Sequence, residues 1–191
     1  MALSSIELTN RALVKIAAAP ISGFEDGTAE AIVAGTLYGA TRDALLSAHP
    51  WSFAAAQRLL PRLVAAPVAD YDYAYQLPAD FLRALSAGPG GGGRGRGLDY
   101  RIVERRLHTD AQEVTLTYIF RPTETAFPPF FDQALIARLA AEFCLPITES
   151  TSRADALYKL AEDSFRRARL IDAQQDVPGR FEGFSLVGVR G

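Results

Sequence analysis

Few side chains in this sequence could carry out chemistry. His49 and His108 are its only histidines and its only side chains with an ordinary pKa near neutrality. His49 stands before Pro50 and Trp51 at a predicted helix end, where capping or packing is the ordinary role. His108-Thr109-Asp110 falls at a predicted hairpin turn, and there the aspartate serves as turn former. Neither histidine has the Cys, Asp or Glu spacing of a zinc site, or a nucleophile beside it to activate. Asp70, Asp72 and Asp80 lack the glycine and terminal glutamate of a calcium loop and read as a solvated strand face. Cys144, the single cysteine, sits in the apolar run Leu139 to Leu145, the setting of a small buried hydrophobe in a reducing compartment. The expectation is a chain that is not an enzyme, with no catalytic residue, no metal and no cofactor.

Two segments without chemistry of their own invite partners. Gly88-Pro89 opens a run of Gly90 to Gly93, Arg94, Gly95, Arg96 and Gly97. No Lys-Ser or Lys-Thr follows it and no helix opens after it, so it reads as a flexible loop and not a phosphate cradle. Arg94 and Arg96 would meet phosphates if this loop faced a DNA channel. At the other end, Val177 to Gly191 carries Phe181, Phe184, Leu186, Val187 and Val189 among four glycines. That stretch is too short to fold alone and too apolar to stay uncovered, which favours docking on another chain.

The elements that must position these segments follow from periodicity. Ser4 with Glu7 forms a capping-box signal for a first helix over about 5 to 18, stopped at Pro20. Thr28 caps a second helix in which Ile32, Leu37 or Tyr38, Leu45 and Leu46 share a face, ending near Pro50. A shorter helix is predicted from Trp51 and Ser52 through Leu60. Tyr71, Tyr73, Tyr75 and Leu77 then alternate with polar neighbours, as do residues of Glu113 to Arg121, and Arg101 to Leu107 is a third candidate strand. Between the first two strands lies a predicted helical turn, Asp80 to Leu85. Phe131, Leu135, Leu139 and Phe143, four apart, mark a buried helix up to Pro146. Thr151 or Ser152 caps a last helix with Ala154, Leu157, Leu160, Ala161, Phe165 and Ala168 on one face, and Arg153, Lys159, Arg166 and Arg167 on another.

These elements predict a mainly α chain of α+β type. It would be a bundle of four to five helices with a small antiparallel β excursion over about 68 to 124, a glycine loop at 87 to 97, and an extended C-terminal tail. One domain over 1 to 175 is expected, with helices in 5 to 60 and 127 to 175, followed by the tail at 176 to 191. A length of 191 residues, 49% hydrophobic and 22% charged, suits one ordinary globular unit. A net charge of -2 argues against a chain-wide nucleic-acid or membrane-surface binder. Met-Ala-Leu-Ser-Ser-Ile-Glu-Leu has no basic region before an apolar core, and no stretch is long enough to span a bilayer, so a cytoplasmic, unanchored protein is expected.

Several segments, taken in order, resemble the phage head-tail adaptor (connector) family, which includes tail tubular protein A of short-tailed phages and the adaptors of gene transfer agents. They are Asn10-Arg11-Ala12-Leu13 with Ile16 and Pro20-Ile21; Tyr38 with Arg42-Asp43-Ala44-Leu45-Leu46; His49-Pro50-Trp51-Ser52-Phe53-Ala54; and Tyr75-Gln76-Leu77-Pro78-Ala79-Asp80-Phe81-Leu82-Arg83. The closing helical pair adds Phe131, Ala134-Leu135, Leu139-Ala140, Glu142 and Pro146-Ile147-Thr148. The resemblance covers roughly residues 5 to 175, and the glycine run has no counterpart in it.

What the resemblance implies is a structural protein of the virion or phage-like particle, made in the bacterial cytoplasm and placed at the head-tail junction. About twelve copies would form a ring under the portal, extend the channel through which double-stranded DNA passes without sequence recognition, and meet a tail or stopper protein below. By position, Arg180, Phe181, Phe184, Leu186 and Val189 would bind the portal; Arg94 and Arg96 would face the channel only through their place on the glycine loop, which the resemblance does not cover. A small helical binding or regulatory module, using the basic face of the last helix, is the alternative from another class.

Overall fold

The computed structural model describes residues 3 to 89 and 97 to 175. The chain begins with α1 (Ser5–Lys15), where Ser4 and Glu7 satisfy each other's backbone N–H groups in a complete capping box. The helix ends well before Pro20 because Ala17 turns left-handed, at φ 59°, and Ala18 N–H reaches back to the Leu13 carbonyl. Asn10 then holds the returning chain, its amide donating to the Ile21 carbonyl and accepting from the Ile21 N–H, both at 2.8 Å.

Thr28 caps α2 (Ala29–Ser47) through the N–H of Ala31. Its buried face is Ala31, Ala34, Tyr38, Thr41, Leu45 and Leu46, while Ile32, expected inside, is 61% exposed. Tyr38, Leu45 and Leu46 are buried as expected, and in the first turns the small Ala31 and Ala34 take the inward place expected of Ile32.

The predicted third helix does not form. One 3-10 turn (Ser52–Ala54) leads directly into strand β1 (Ala55–Leu59), which pairs antiparallel with β6 (Val114–Phe120). Nor is Asp80 to Leu85 helical. Phe81–Pro89 is strand β3, on the other side of β6, and two register shifts absorb its imperfect alternation. Ala55-Ala56-Gln57-Arg58-Leu59 and Phe81-Leu82-Arg83-Ala84-Leu85 are helix formers by composition, but β6 offers both of its edges, and tertiary pairing overrides local propensity.

Strands β2 (Tyr73–Gln76), β4 (Arg101–Val103) and β5 (Arg106–Thr109) form a second antiparallel sheet in the order β2-β5-β4; the first is ordered β1-β6-β3. The expected single strand from Arg101 to Leu107 is a hairpin, because Glu104 and Arg105 both adopt positive φ, 48° and 60°. The chain passes between sheets at Leu60-Pro61. Leu60 N–H still bonds the β6 end at Val114, whereas Leu63 N–H bonds Ala74 and the Pro61 carbonyl accepts from Gln76 of β2.

The predicted helical bundle with a small β excursion is therefore corrected. Among the described residues helices, 3-10 turns included, account for 48% and strands for 20%, with four α-helices and two three-stranded sheets, an α+β fold. Leu60, Tyr75, Leu77, Ala87, Leu107, Val114, Leu116 and Tyr118 give the β half a hydrophobic core of its own. It begins at Ala55, well before residue 68.

Back in the helical half, α3 (Pro129–Thr148) buries Phe131, Leu135, Leu139 and Phe143 completely and continues two residues past Pro146 before Glu149 turns left-handed. Then α4 (Thr151–Ala173) follows Ser150, which caps it by position without a side-chain bond. Ala154, Ala161 and Ala168 of α4 are buried, and Ala161 meets Ala137 and Ala141 of α3, so small side chains set the contact between the two helices. Leu160, expected on this face, is 59% exposed. The expected tail lies outside the described residues. Among those residues, no helix is long and apolar enough to cross a membrane.

Candidate functional site

The segment His49-Pro50-Trp51-Ser52 joins α2 to the β half and meets the far end of α4. Trp51 is fully buried, with its indole N–H donated to the Leu45 carbonyl at 3.1 Å. Phe131 and Phe165 meet its ring edge-on at 5.2 and 5.7 Å between centroids. Next to it, Ser52 gives its backbone N–H and its hydroxyl to the Asp172 carboxylate, at 3.1 and 2.7 Å to the nearer oxygens. His49 Nε2 lies 3.4 Å from the other side of the interaction, Asp172 Oδ2. Asp172 itself is 3% exposed.

Serine, histidine and aspartate thus meet in one place, the residue types of a nucleophilic triad, but their order is wrong for that chemistry. In a triad the imidazole stands between the hydroxyl and the carboxylate, taking the proton of one and orienting on the other. Here the carboxylate stands in the middle and receives both, so the Ser52 hydroxyl faces Asp172 and not the imidazole. The His49 pKa lies below its ordinary value: burial disfavours the cation, Asp172 opposes that, and the positive charges of Arg169 and Arg83 add to the lowering. What this cluster does is mechanical. It fastens the last turn of α4 to the exit of α2.

A second polar cluster ties the helices to the strand exit. Arg42 donates to Glu124 at 2.8 Å and to Asp43 at 3.0 Å, and Arg121, just past β6, donates to both Asp43 oxygens. Burial pushes the Asp43 carboxyl upward, but the bonds from Arg121 and Arg42 outweigh it and hold the pKa below the ordinary range. The Tyr38 hydroxyl donates to Glu124, and its pKa is raised by burial and by that carboxylate. Nearby in charge is Asp132, in the first turn of α3, 6% exposed and with no hydrogen-bond partner for its Oδ1. Burial raises its pKa to about 6, against the pull of Arg11.

The remaining candidates are dispersed. Asp70 pairs with Arg101, Asp72 gives its N–H to Asp110, and Asp80 accepts from Tyr118. Asp110 closes the turn after β5, as its place in the sequence indicates. Among the described residues no group of three or more His, Cys, Asp and Glu could hold a metal ion. His108, in β5, opens onto a shallow groove under the 65 to 71 loop. Cys144 is buried, its sulfur 3.3 Å from the Thr148 hydroxyl. The basic face of α4 is exposed at Arg153, Lys159, Arg166 and Arg167, yet Asp155, Glu162 and Asp163 are interleaved with it, and Arg166 pairs with Asp163. Arg94 and Arg96, and likewise Arg180, Phe181, Phe184, Leu186 and Val189, lie outside the described residues.

Two features escape the sequence reading. Asp172 looks like one more charge on an amphipathic helix, and only the fold brings it to Ser52. The other is Leu63 to Ala69, an apolar run without periodicity between Arg62 and Asp70, in which Val64 and Val68 are completely exposed. No family model and no curated protein matches this chain.

Proposed function

We propose that this chain is a structural head-tail adaptor subunit, which forms a ring beneath the portal of a tailed phage or gene transfer agent and extends the DNA channel. The observation that carries the reading is the role of His49, Trp51 and Ser52. In combination with Tyr75-Gln76-Leu77-Pro78 this segment makes the resemblance distinctive, and its side chains serve architecture: Trp51 centres the helical core, and Ser52 and His49 hold Asp172 at the end of α4. Residues 176 to 191, to which the portal contact is assigned by this proposal, follow that fastened turn in the sequence.

Further support comes from the mixed charge of the α4 surface. A DNA-binding face would concentrate cations, and non-specific contacts of that kind would retard DNA that must pass. The α4 pattern of alternating signs disfavours the small DNA-binding module. Arg180, Phe181, Phe184, Leu186 and Val189 are the proposed portal contacts, and the tail or stopper protein is the proposed partner on the opposite side.

The test is to mix the purified chain with its cognate portal ring and image the product by electron microscopy beside each component alone. A ring added beneath the portal is the expected product. A folded, monodisperse chain that never associates with the portal would remove the adaptor reading.

A further inference from the structure

The run Leu63-Val64-Ala65-Ala66-Pro67-Val68-Ala69 has no polar side chain, and Val64 and Val68 are each 106% exposed. It is nonetheless a fixed loop. At one foot Leu63 N–H bonds the Ala74 carbonyl at 2.8 Å and the Arg62 guanidinium lies 4.7 Å over the Tyr73 ring. At the other, Asp70 takes Arg101 at 2.7 Å and Asp72 N–H bonds Asp110 at 2.9 Å. Both ends are tied to the β2-β5-β4 sheet, and an apolar knob stands out between them. Exposed apolar surface held in this way marks a contact site. Past Leu63 at its foot, its residues are small, without the Trp or Phe of loops that enter lipid, and this points to a protein groove.

The same chain carries such a groove on its helical half. A cleft of about 200 Å³ opens between α2 and the α3-α4 pair, with Ala44, Leu45, Ala48 and Phe165 among its apolar walls and Glu162 on its rim. Its size is on the scale of a pair of valine side chains. Its polar side holds Glu142 and Glu162, both paired with Arg138, and the one negative charge left in excess complements Arg62 at the foot of the knob. Knob and cleft belong to different halves of the fold, each with its own core.

We infer that the Leu63 to Ala69 loop of one copy seats Val64 and Val68 in the Ala44, Leu45, Ala48 and Phe165 cleft of a second copy. Each copy then gives a loop and receives one. Such a heterologous contact repeats head to tail and closes into a ring when the rotation allows. The inference rests on the proposed function for that closure and supplies its subunit contact. One loop in one cleft falls short of the roughly 1,000 Å² that a stable pair buries, so free copies associate weakly and gain strength on closure.

Cross-linking between two single variants of the full chain tests it. Val64→Cys and Ala48→Cys both place a thiol at an exposed position, while Cys144 stays buried. Mixed at high concentration under mild oxidation, the two variants are expected to form a disulfide-linked pair that neither forms alone. Adding Val68→Asp to the Val64→Cys chain is expected to lower the linked yield about tenfold, with circular dichroism unchanged. No linked pair in the mixture, or equal linking of Val64→Cys to itself, would overturn the contact. A link without portal binding keeps the contact and removes the adaptor reading; a ring beneath the portal in which residues 64 and 48 never link does the reverse.

Discussion

Asp172, in the last turn of α4, accepts hydrogen bonds from both the backbone N–H and the hydroxyl of Ser52, 120 residues earlier in the chain. Helix ends fray unless something outside the helix holds them, and a carboxylate that is 3% exposed and bonded three ways is a firm hold. Through this pair the end of the helical half is registered against the entry to the β half.

Removing that carboxylate should therefore cost more than a surface charge would. Asp172→Ala takes a buried acceptor away from Ser52 and His49, whose own exposure lets water replace it in part, a loss of about 0.5–1.5 kcal/mol. Urea unfolding followed through Trp51, the sole tryptophan, measures it. Asp172→Asn, which keeps one acceptor oxygen, should fall between; wild-type stability for Asp172→Ala would dismiss the clamp.

Asp132 sets a pH dependence of definite sign. Its folded pKa, about 6, lies above its ordinary 3.8 because burial disfavours the anion. The folded state therefore binds the proton more tightly than the unfolded chain does. This stabilising contribution is full below about pH 4 and is lost as pH rises through about 6. At neutral pH the ionised form is the disfavoured one, so Asp132→Asn should raise stability there by up to about 3 kcal/mol. The variant should also flatten the curve of stability between pH 4 and 6. An unchanged curve would mean that Asp132 has a partner.

His49 and Trp51 offer a spectroscopic check. Their rings are 4.7 Å apart, edge to face, and a protonated imidazole at that distance quenches indole emission. Because burial, with help from Arg169 and Arg83, lowers the His49 pKa, the quenching step should appear below pH 6.5, and His49→Gln should abolish it. The linked stability runs opposite to that of Asp132. The neutral imidazole favours the fold above the unfolded pKa, and the contribution is lost as pH falls through the folded one. Asp172→Ala should move the quenching step lower still, since the carboxylate is what supports the cation.

Local signals in the sequence are reliable where local physics decides the outcome. Ser4 with Glu7 and Thr28 mark helix starts correctly because a cap involves only neighbours. The spacing of Phe131, Leu135, Leu139 and Phe143 identifies the buried stripe of α3 because four-residue spacing is intrinsic to the helix. Ala55 to Leu59 and Phe81 to Leu85 are misread because their state is set by β6, which arrives far later in the chain. The Glu104-Arg105 turn hides because neither residue favours positive φ. The candidate site was half visible: His49, Trp51 and Ser52 form a recognisable segment, while the residue that gives them a purpose, Asp172, is legible only in three dimensions.

The last prediction concerns residues 177 to 191. Among the described residues both hydrophobic clusters end at or before Ala168, and Asp172 fastens the α4 end. Deleting this segment should leave the urea midpoint and the Trp51 emission maximum unchanged. Portal binding, by contrast, should disappear, since Phe181, Phe184, Leu186 and Val189 would supply its apolar contacts and an extended strand can add to an exposed sheet edge through its backbone. Surface-immobilised portal rings, exposed to full-length and truncated chains at equal concentration, measure the difference. Tight binding by the truncated chain would move the portal contact onto the folded domain, and a fall in stability on truncation would mean that these residues pack on their own chain instead.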